Sequence, residues 1–317
     1  MSLRSQISQG IAQFQHVWMG RADCAIFFGS GIGDDLLCSV VAHELKKRGA
    51  GRIVMFSKYP SLFAHNPDVA AVYPYGLSTI GRMRHWGYGV VVPQFSVYDR
   101  ATDRDVFPNE HLLVTMCRIA GITGTIGLRP YMTLLPSEKA AGKLRDNQIV
   151  IQSGGLGTMK NKDWIPERYQ AVSDQLADNF GMIQLGLKTD PLIQGALDLR
   201  GKTTLRESAA ILASCRVFIG QVGFLMHLAR AVECRSVIVY GGREDPSISG
   251  YRANENVVGR THCSPCWQRN RCDYGHECMQ IIEPGEVVAA VRRQLEREGT
   301  ALETDQATLD AATGAMA

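Results

Sequence analysis

Four cysteines within 16 residues form the densest group of metal-ligating side chains in the sequence: Cys263, Cys266, Cys272 and Cys278. The first two are separated by two residues, and each later one by five. Thiolates spaced in this way suit a tetrahedral zinc or iron ion, and four of them leave no open coordination position. The spacing therefore predicts a structural metal loop. The alternative is a set of reduced cysteines without a metal.

A carboxylate stands at the start of the first predicted helix. Asp34 follows the glycine-rich turn 29–33, which itself follows a short apolar strand. A carboxylate in this position could remove a proton from an acceptor hydroxyl, which is the task of a general base. Since aspartate is also favoured at helix N-termini, the alternative is that Asp34 only caps the helix.

Three loops in the second half of the chain carry groups suited to a phosphorylated ligand. Glycine-rich turns after parallel strands direct backbone N–H groups at anions, and a nearby lysine or arginine neutralises phosphate charge. The candidate ligand-binding residues are Gly154, Gly155 and Lys162 in the first loop, Gly220, Gln221, Gly223 and His227 in the second, and Gly242, Arg243 and Glu244 in the third. The alternative is tight turns with solvated charges, and for His227 a structural histidine.

Short apolar runs alternate with helical patterns in both halves of the chain. Strands are predicted at 25–28, 52–56 and 89–92, and the rhythm restarts at 148–152 after the polar segment 136–147. Such alternation predicts parallel sheets covered by helices. We therefore expect an α/β protein with two Rossmann-like domains facing each other across a cleft. Their predicted bounds are 1–145 and 146–300, followed by a frayed tail at 301–317.

Composition excludes several classes of protein. Hydrophobic residues make up 45% of the 317 residues and charged residues 21%, as in ordinary globular proteins. A net charge of +3 gives no sign of a nucleic-acid-binding face. No apolar run is long enough to span a bilayer and the N-terminus lacks a signal peptide's apolar core, so we expect a cytoplasmic protein. The charge is compatible with peripheral contact at the inner face of the inner membrane, and nothing selects an oligomeric state.

The second half resembles the ADP-heptose:lipopolysaccharide heptosyltransferases, glycosyltransferase family nine. The similar features lie within about residues 148–290: KDWIP at 162–166, LRGKTTL at 199–205, the loop 220–232 and Cys278-Met279. In the first half, Gly33-Asp34 resembles the family's Gly-Asp motif. The resemblance implies the GT-B fold, an N-terminal acceptor domain and a C-terminal nucleotide-sugar domain. It also implies transfer with inversion at the anomeric carbon and without a catalytic metal.

By position in these motifs, Asp34 corresponds to the family's proposed base, Lys162 to a lysine at the donor diphosphate and His227 to the histidine beside the donor. One place departs from the family pattern, because Val222 occupies the position of an acidic residue. Arg243, Glu244 and Tyr251 are the candidates for replacing its polar contacts.

The expected function is therefore glycosyl transfer from a nucleotide-diphosphate sugar, with heptose as one candidate sugar. The acceptor is expected to be a surface glycan, a glycolipid of lipopolysaccharide type or another molecule. The alternatives are a nucleotide-sugar epimerase, which needs no acceptor, and a degenerate protein that binds a nucleotide sugar without turnover.

Overall fold

The computed structural model describes residues 24–29, 31–74, 89–106, 109–154 and 159–310. The N-terminal half is built on a four-stranded parallel sheet with the strand order β3-β2-β1-β4. Its elements are β1 (Cys24–Phe27), α1 (Ile32–Lys47), β2 (Ile53–Ser57), β3 (Ala71–Pro74), β4 (Gly89–Val91), the hairpin β5 (Val97–Asp99) and β6 (Arg104–Val106), α2 (Leu112–Ile119), β7 (Gly124–Gly127) and α3 (Pro136–Ala141).

The C-terminal half is built on a six-stranded parallel sheet with the order β10-β9-β8-β11-β12-β13. Its elements are β8 (Ile149–Ile151), α4 (Pro166–Leu176), β9 (Met182–Gln184), β10 (Leu197–Asp198), α5 (Leu205–Ala213), β11 (Val217–Gln221), α6 (Phe224–Ala231), β12 (Ser236–Tyr240), α7 (Pro246–Ser249), β13 (Glu255–Val258), α8 (Glu277–Gln280) and α9 (Pro284–Glu296). Every residue of the central strands β8, β11 and β12 is buried, as expected for a sheet covered on both faces.

The two halves share part of their core. The largest apolar cluster includes Leu36 and Val40 of α1 together with Met226 and Leu228 of α6. These two helices, one from each half, pack directly against each other. Since burial of one large aliphatic side chain contributes about 1.5–3 kcal/mol, this shared cluster holds the halves together at the helix pair that carries the site.

The C-terminal tail is more ordered than the sequence predicts. The prediction of a frayed tail at 301–317 is wrong for Gln306–Leu309, which forms strand β14 antiparallel to β7. The reason is that β7 offers an edge to pair with and Leu309 is buried there, while Asp305 accepts the backbone N–H of Arg252 at 2.9 Å. An Ala/Thr-rich composition hides this long-range pairing. Residues 311–317 lie outside the described residues.

The polar segment between the two sheets contains a capped helix. In α3, Pro136 occupies the first turn and Glu138 accepts the backbone N–H of Leu135 at 2.7 Å. Glu138 also binds Arg206 of α5 through two contacts of 2.6 Å, and the two helices pack together. The connection is thereby fixed to the C-terminal half. Among the described residues, no helix has both the length and the apolar character needed to cross a bilayer.

Candidate active site

Asp34 lies at the junction between the two halves. Helix α1 begins after Gly31, and the Asp34 carboxylate accepts the Gly31 backbone N–H at 2.9 Å, so the side chain does stabilise the helix start. A β-carbon on the neighbouring Gly33 would lie 3.5 Å from Cδ2 of His227 and 3.7 Å from Cα of Phe224. The start of α1 therefore meets the start of α6, and the half-buried Asp34 lies beside the second predicted ligand loop.

The next residue is also an aspartate, but its environment differs. Asp35 is 3% exposed and its carboxylate accepts the Ser57 hydroxyl hydrogen at 2.5 Å. Burial raises the pKa of Asp35, against the effect of its hydrogen bonds. Asp35 fixes α1 to the end of β2, which leaves Asp34 as the less buried of the two neighbouring carboxylates.

Lys162 enters the same region from the C-terminal half. It ends a short 3-10 turn at Lys160–Lys162, and its Nζ lies 2.7 Å from Oε1 of Glu244. Its side chain is only 17% exposed, so it does not project into bulk solvent. Burial lowers the pKa of Lys162, and the negative charges of Glu244 and Asp34 oppose this shift. The Asp34 carboxylate is thus within electrostatic range of the Lys162 ammonium group.

Arg243 and Glu244 are not open to a ligand as the third predicted loop suggested. They are 2% and 7% exposed, and Arg243 contacts both Glu244 and Asp105. Burial alone would raise the pKa of Glu244, but Lys162 and Arg243 hold that pKa at about 2. Gly242 is equally enclosed, because a β-carbon there would collide with Ser264. Through Glu244 this loop holds Lys162, and the side chains of Arg243 and Glu244 are already engaged by charged partners.

The second predicted loop, at the end of β11, is enclosed except at Gly223. Gly223 begins α6 in extended backbone with open space around it, whereas Gly220 packs closely over the ring of Phe218. Gln221 is 3% exposed and donates from Nε2 to Asp163 at 2.9 Å. Among the described residues its Oε1 has no hydrogen-bond partner. The loop therefore holds a fixed, unused hydrogen-bond acceptor.

His227 and Val222 are both buried parts of this loop. Nδ1 of His227 lies 2.6 Å from the hydroxyl of Tyr251, and burial lowers the pKa of His227 to about 3, so the ring is neutral. Tyr251, predicted as a compensating polar contact, is thus engaged by His227. Val222 belongs to the shared apolar cluster. An apolar side chain fits this enclosure without the hydrogen-bond partners that a carboxylate would need.

Beside the first predicted loop lies a carboxylate that sequence reasoning missed. A β-carbon on Gly154 would lie 3.1 Å from the carboxyl carbon of Asp190, which follows β9. Asp190 is 4% exposed and accepts the Leu187 backbone N–H at 3.0 Å, and burial raises its pKa to about 6. No motif marks Asp190, and only its place after a strand could have suggested it. Gly155 lies outside the described residues.

The four predicted metal-ligating cysteines line one cavity of about 120 Å³, together with Asn161 and His276. All four are half-buried free thiols, and burial raises the pKa of Cys266 and Cys278. Among the described residues, no group of three or more His, Cys, Asp or Glu side chains is arranged to hold a metal ion. The four thiols therefore lie around one cavity, but their sulfur atoms are not arranged to bind a common metal ion.

Comparison with known proteins defines the class. Residues 132–275 match the family model of glycosyltransferase family 9 (heptosyltransferase), and no curated protein matches the chain. Solved structures that share its fold include the family 9 glycosyl transferase of Veillonella parvula DSM 2008, with 14% identity and a TM-score of 0.64 over 87% of this chain and 97% of that one. The ADP-heptose lps heptosyltransferase II of E. coli matches with 16% identity and a TM-score of 0.64 over 87% of this chain and 99% of that one. The iron-containing dodecameric glycosyltransferase TibC of enterotoxigenic E. coli H10407 matches with 18% identity and a TM-score of 0.68 over 88% of this chain and 77% of that one.

The fold is therefore GT-B, and the protein is a glycosyltransferase. The resemblance to glycosyltransferase family 9 is confirmed, and the family model covers residues 132–275.

Proposed function

We propose that this protein transfers a sugar from a nucleotide-diphosphate sugar to a glycan or glycolipid acceptor, with inversion and without a catalytic metal. The observation that carries the proposal is the position of Asp34: it begins a helix of the N-terminal half beside α6 of the C-terminal half, and its charge acts on the buried Lys162. A carboxylate of one half and an ammonium group of the other thus lie in the same region of the junction. This is the arrangement that proton removal on one side and diphosphate departure on the other require.

In this mechanism the C-terminal half, about residues 146–300, holds the donor. Lys162 binds the diphosphate, and because an ammonium group has three N–H donors it can do so while keeping Glu244. Backbone N–H groups at the start of α6, beside Gly223, add positive potential.

The N-terminal half, about residues 1–145, presents the acceptor hydroxyl to Asp34. The carboxylate takes the hydroxyl proton while the oxygen attacks the anomeric carbon and the bond from that carbon to the diphosphate oxygen breaks. Lys162 stabilises the negative charge that develops on the leaving nucleoside diphosphate. His227, neutral and bonded to Tyr251, fixes the start of α6 beside Gly33.

For the substrates we propose ADP-heptose as the first donor to test and a lipopolysaccharide-type glycolipid as the acceptor. Support comes from the similar fold of E. coli ADP-heptose lps heptosyltransferase II and of TibC solved with ADP-D-beta-D-heptose. The buried Val222 in place of an acidic residue argues for testing other sugars as well. Action on a glycolipid would place the protein at the inner membrane surface, which co-sedimentation with anionic vesicles tests.

Product analysis with and without an acceptor tests this function. A thermal-shift screen of nucleotide sugars first selects the donor, since a ligand that binds the folded state raises the melting temperature. Transfer predicts release of the nucleoside diphosphate and a larger acceptor only when the acceptor is present. Conversion of the nucleotide sugar into an isomer without an acceptor would show an epimerase instead. Binding with no product under either condition would show a binding protein without catalysis.

We also propose that the four-cysteine loop binds a structural zinc or iron ion after its thiols converge. The shared cavity of Cys263, Cys266, Cys272 and Cys278 supports this, and a thiolate set suits either metal. Metal analysis of anaerobically purified protein should give about one ion per chain, lost in a Cys263→Ser variant. Metal-free wild-type protein with four titratable thiols in this loop would contradict the proposal.

A further inference from the structure

The β5–β6 hairpin of the N-terminal half is joined to the cysteine loop of the C-terminal half. The backbone N–H of Asp105 donates to the carbonyl of Trp267 at 3.0 Å, and that of Arg269 donates to Asp103 at 2.9 Å. The Arg269 guanidinium group also lies over the ring of Tyr98, 3.8 Å from its centroid. Strand-like hydrogen bonds and a cation–π contact therefore hold the hairpin in place before any contact of the Asp105 side chain is counted.

The Asp105 side chain is buried between two arginines of the C-terminal half. Its carboxylate is 3% exposed, and Oδ1 accepts Nε and Nη2 of Arg269 at 2.9 and 2.6 Å. Its other oxygen binds Arg243. Docking of the hairpin would need only backbone contacts and Arg269. The contact with Arg243 is additional, and it leads toward the donor-binding region.

Arg243 connects Asp105 to the donor lysine through one more residue. The other end of its guanidinium group contacts Oε1 of Glu244, the same oxygen that lies 2.7 Å from Nζ of Lys162. Glu244 is fixed further by Ser249, whose hydroxyl donates to Oε2 at 2.8 Å. Charges alternate along this buried series, from Asp105 through Arg243 and Glu244 to Lys162. In such a series, each charge is compensated by its neighbours.

Loss of the first charge would affect the last one. With Asp105 present, the charge of Arg243 is shared between two carboxylates, and Glu244 can hold Lys162. Without the Asp105 charge, Arg243 would rely on Glu244 alone and compete with Lys162 for the same oxygen. The buried Lys162 ammonium group would then lie beside a less compensated guanidinium group.

We propose that Asp105, on the acceptor-side hairpin, is a positioning residue that keeps Lys162 in place for the donor diphosphate by sharing the charge of Arg243 with Glu244. The proposal rests on the proposed function, because it assigns the diphosphate to Lys162. It makes donor binding in one half depend on a side chain of the other half. The backbone contacts, the Asp103 carboxylate and the stacking of Arg269 on Tyr98 hold the hairpin, whereas the Asp105 carboxylate links the docked hairpin to Arg243.

Calorimetric titration with nucleoside diphosphates tests this inference without requiring turnover. The probe is whichever of ADP, UDP, GDP and CDP binds the wild-type protein most tightly. Asp105→Asn keeps the shape of the side chain but removes its charge, and is expected to weaken binding about tenfold. Asp99→Asn is the matched control: Asp99 is in the same hairpin and, among the described residues, its carboxylate bonds Ala101 and Thr102 within it, so binding should be unchanged.

A double variant separates positioning from a general loss of structure. In Asp105→Asn with Arg243→Met, no unpaired arginine competes for Glu244, so affinity should return to within about threefold of wild type. Equal binding by Asp105→Asn and wild type would overturn the inference. So would a double variant that binds no better than Asp105→Asn while melting at the same temperature. Failure of every nucleoside diphosphate to bind the wild-type protein would instead refute the proposed function, and this inference with it.

Discussion

Nζ of Lys162 lies 2.7 Å from Oε1 of Glu244, in a contact where both side chains are largely withdrawn from water. The negative charge of Glu244 opposes the effect of burial, which lowers the pKa of Lys162. Asp34, from the other half of the protein, acts on the lysine in the same direction as Glu244. The site thus contains a cation that is already fixed before a diphosphate arrives, and it loses little conformational freedom on binding.

Replacing Lys162 should weaken the binding of a nucleoside diphosphate. In Lys162→Met the side chain keeps its length but loses its charge, and we expect the Kd for a nucleoside diphosphate to rise at least about tenfold, by loss of a charge-assisted hydrogen bond. Lys160→Met is the control, because Lys160 belongs to the same turn but is exposed. Calorimetric titration measures both. Equal loss of affinity in the two variants would show that general positive charge, not Lys162, attracts the ligand.

Tyr251 should stabilise the protein through His227. Tyr251→Phe removes the hydroxyl that lies 2.6 Å from Nδ1 of His227 and leaves a buried ring nitrogen without a partner. We expect a loss of about 1–2 kcal/mol in the free energy of unfolding, measured by urea titration. Tyr274→Phe, at a residue 48% exposed, serves as the control and should cost nothing measurable. A Tyr251→Phe protein as stable as wild type would remove His227 from its assigned structural role.

Asp190 predicts a dependence of stability on pH. Burial raises its pKa in the folded protein to about 6, above the value near 4 of an unfolded chain. The folded state therefore holds a proton more tightly than the unfolded state, and the stabilisation present below pH 4 is lost as pH rises through 6. Asp190→Asn removes this loss, which is at most about 3 kcal/mol for two pKa units.

The measurement for Asp190 is the melting temperature of Asp190→Asn and wild type at pH 4.5 and pH 7.5. The melting temperature of Asp190→Asn minus that of wild type should be larger at pH 7.5 than at pH 4.5. Asp198→Asn is a suitable control, because the Arg200 hydrogen bond lowers the pKa of Asp198, so its carboxylate is largely ionised in both folded and unfolded states at both pH values and its effect should not depend on pH. A pH-independent difference for Asp190→Asn would mean that its carboxyl group titrates normally.

Local patterns in the sequence predict much of the fold. Apolar runs locate the central strands, and the pattern Thr204-Leu-Arg-Glu207 forms a capping box, with the Glu207 N–H donating to the Thr204 hydroxyl at 3.2 Å. These features depend on neighbouring residues only. Strand β14 and the β5–β6 hairpin depend on partners far along the chain and have three or four residues per strand. Such short strands carry too little pattern to predict their pairing.

The site shows the same division. The candidate glycines and Lys162 come at or after the ends of strands in the sequence. Because the sheet is parallel, these strand ends lie at the same edge of the sheet, so the location of the site can be predicted. The direction of Arg243 does not follow from any local pattern, because it is set by Asp105, 138 residues earlier in the chain. The enclosure of Glu244 and the burial of Asp190 likewise depend on loops that meet only when the C-terminal half is folded.

The proton-accepting role of Asp34 is the part of the mechanism that one kinetic experiment can decide. With the donor and acceptor established, transfer by Asp34→Ala should fall by roughly a thousandfold in kcat, because a general base is lost. Its Kd for the nucleoside diphosphate should stay within about twofold of wild type, since Lys162 and Glu244 remain in contact. A kcat for Asp34→Ala within tenfold of wild type, with donor binding intact, would contradict the assignment.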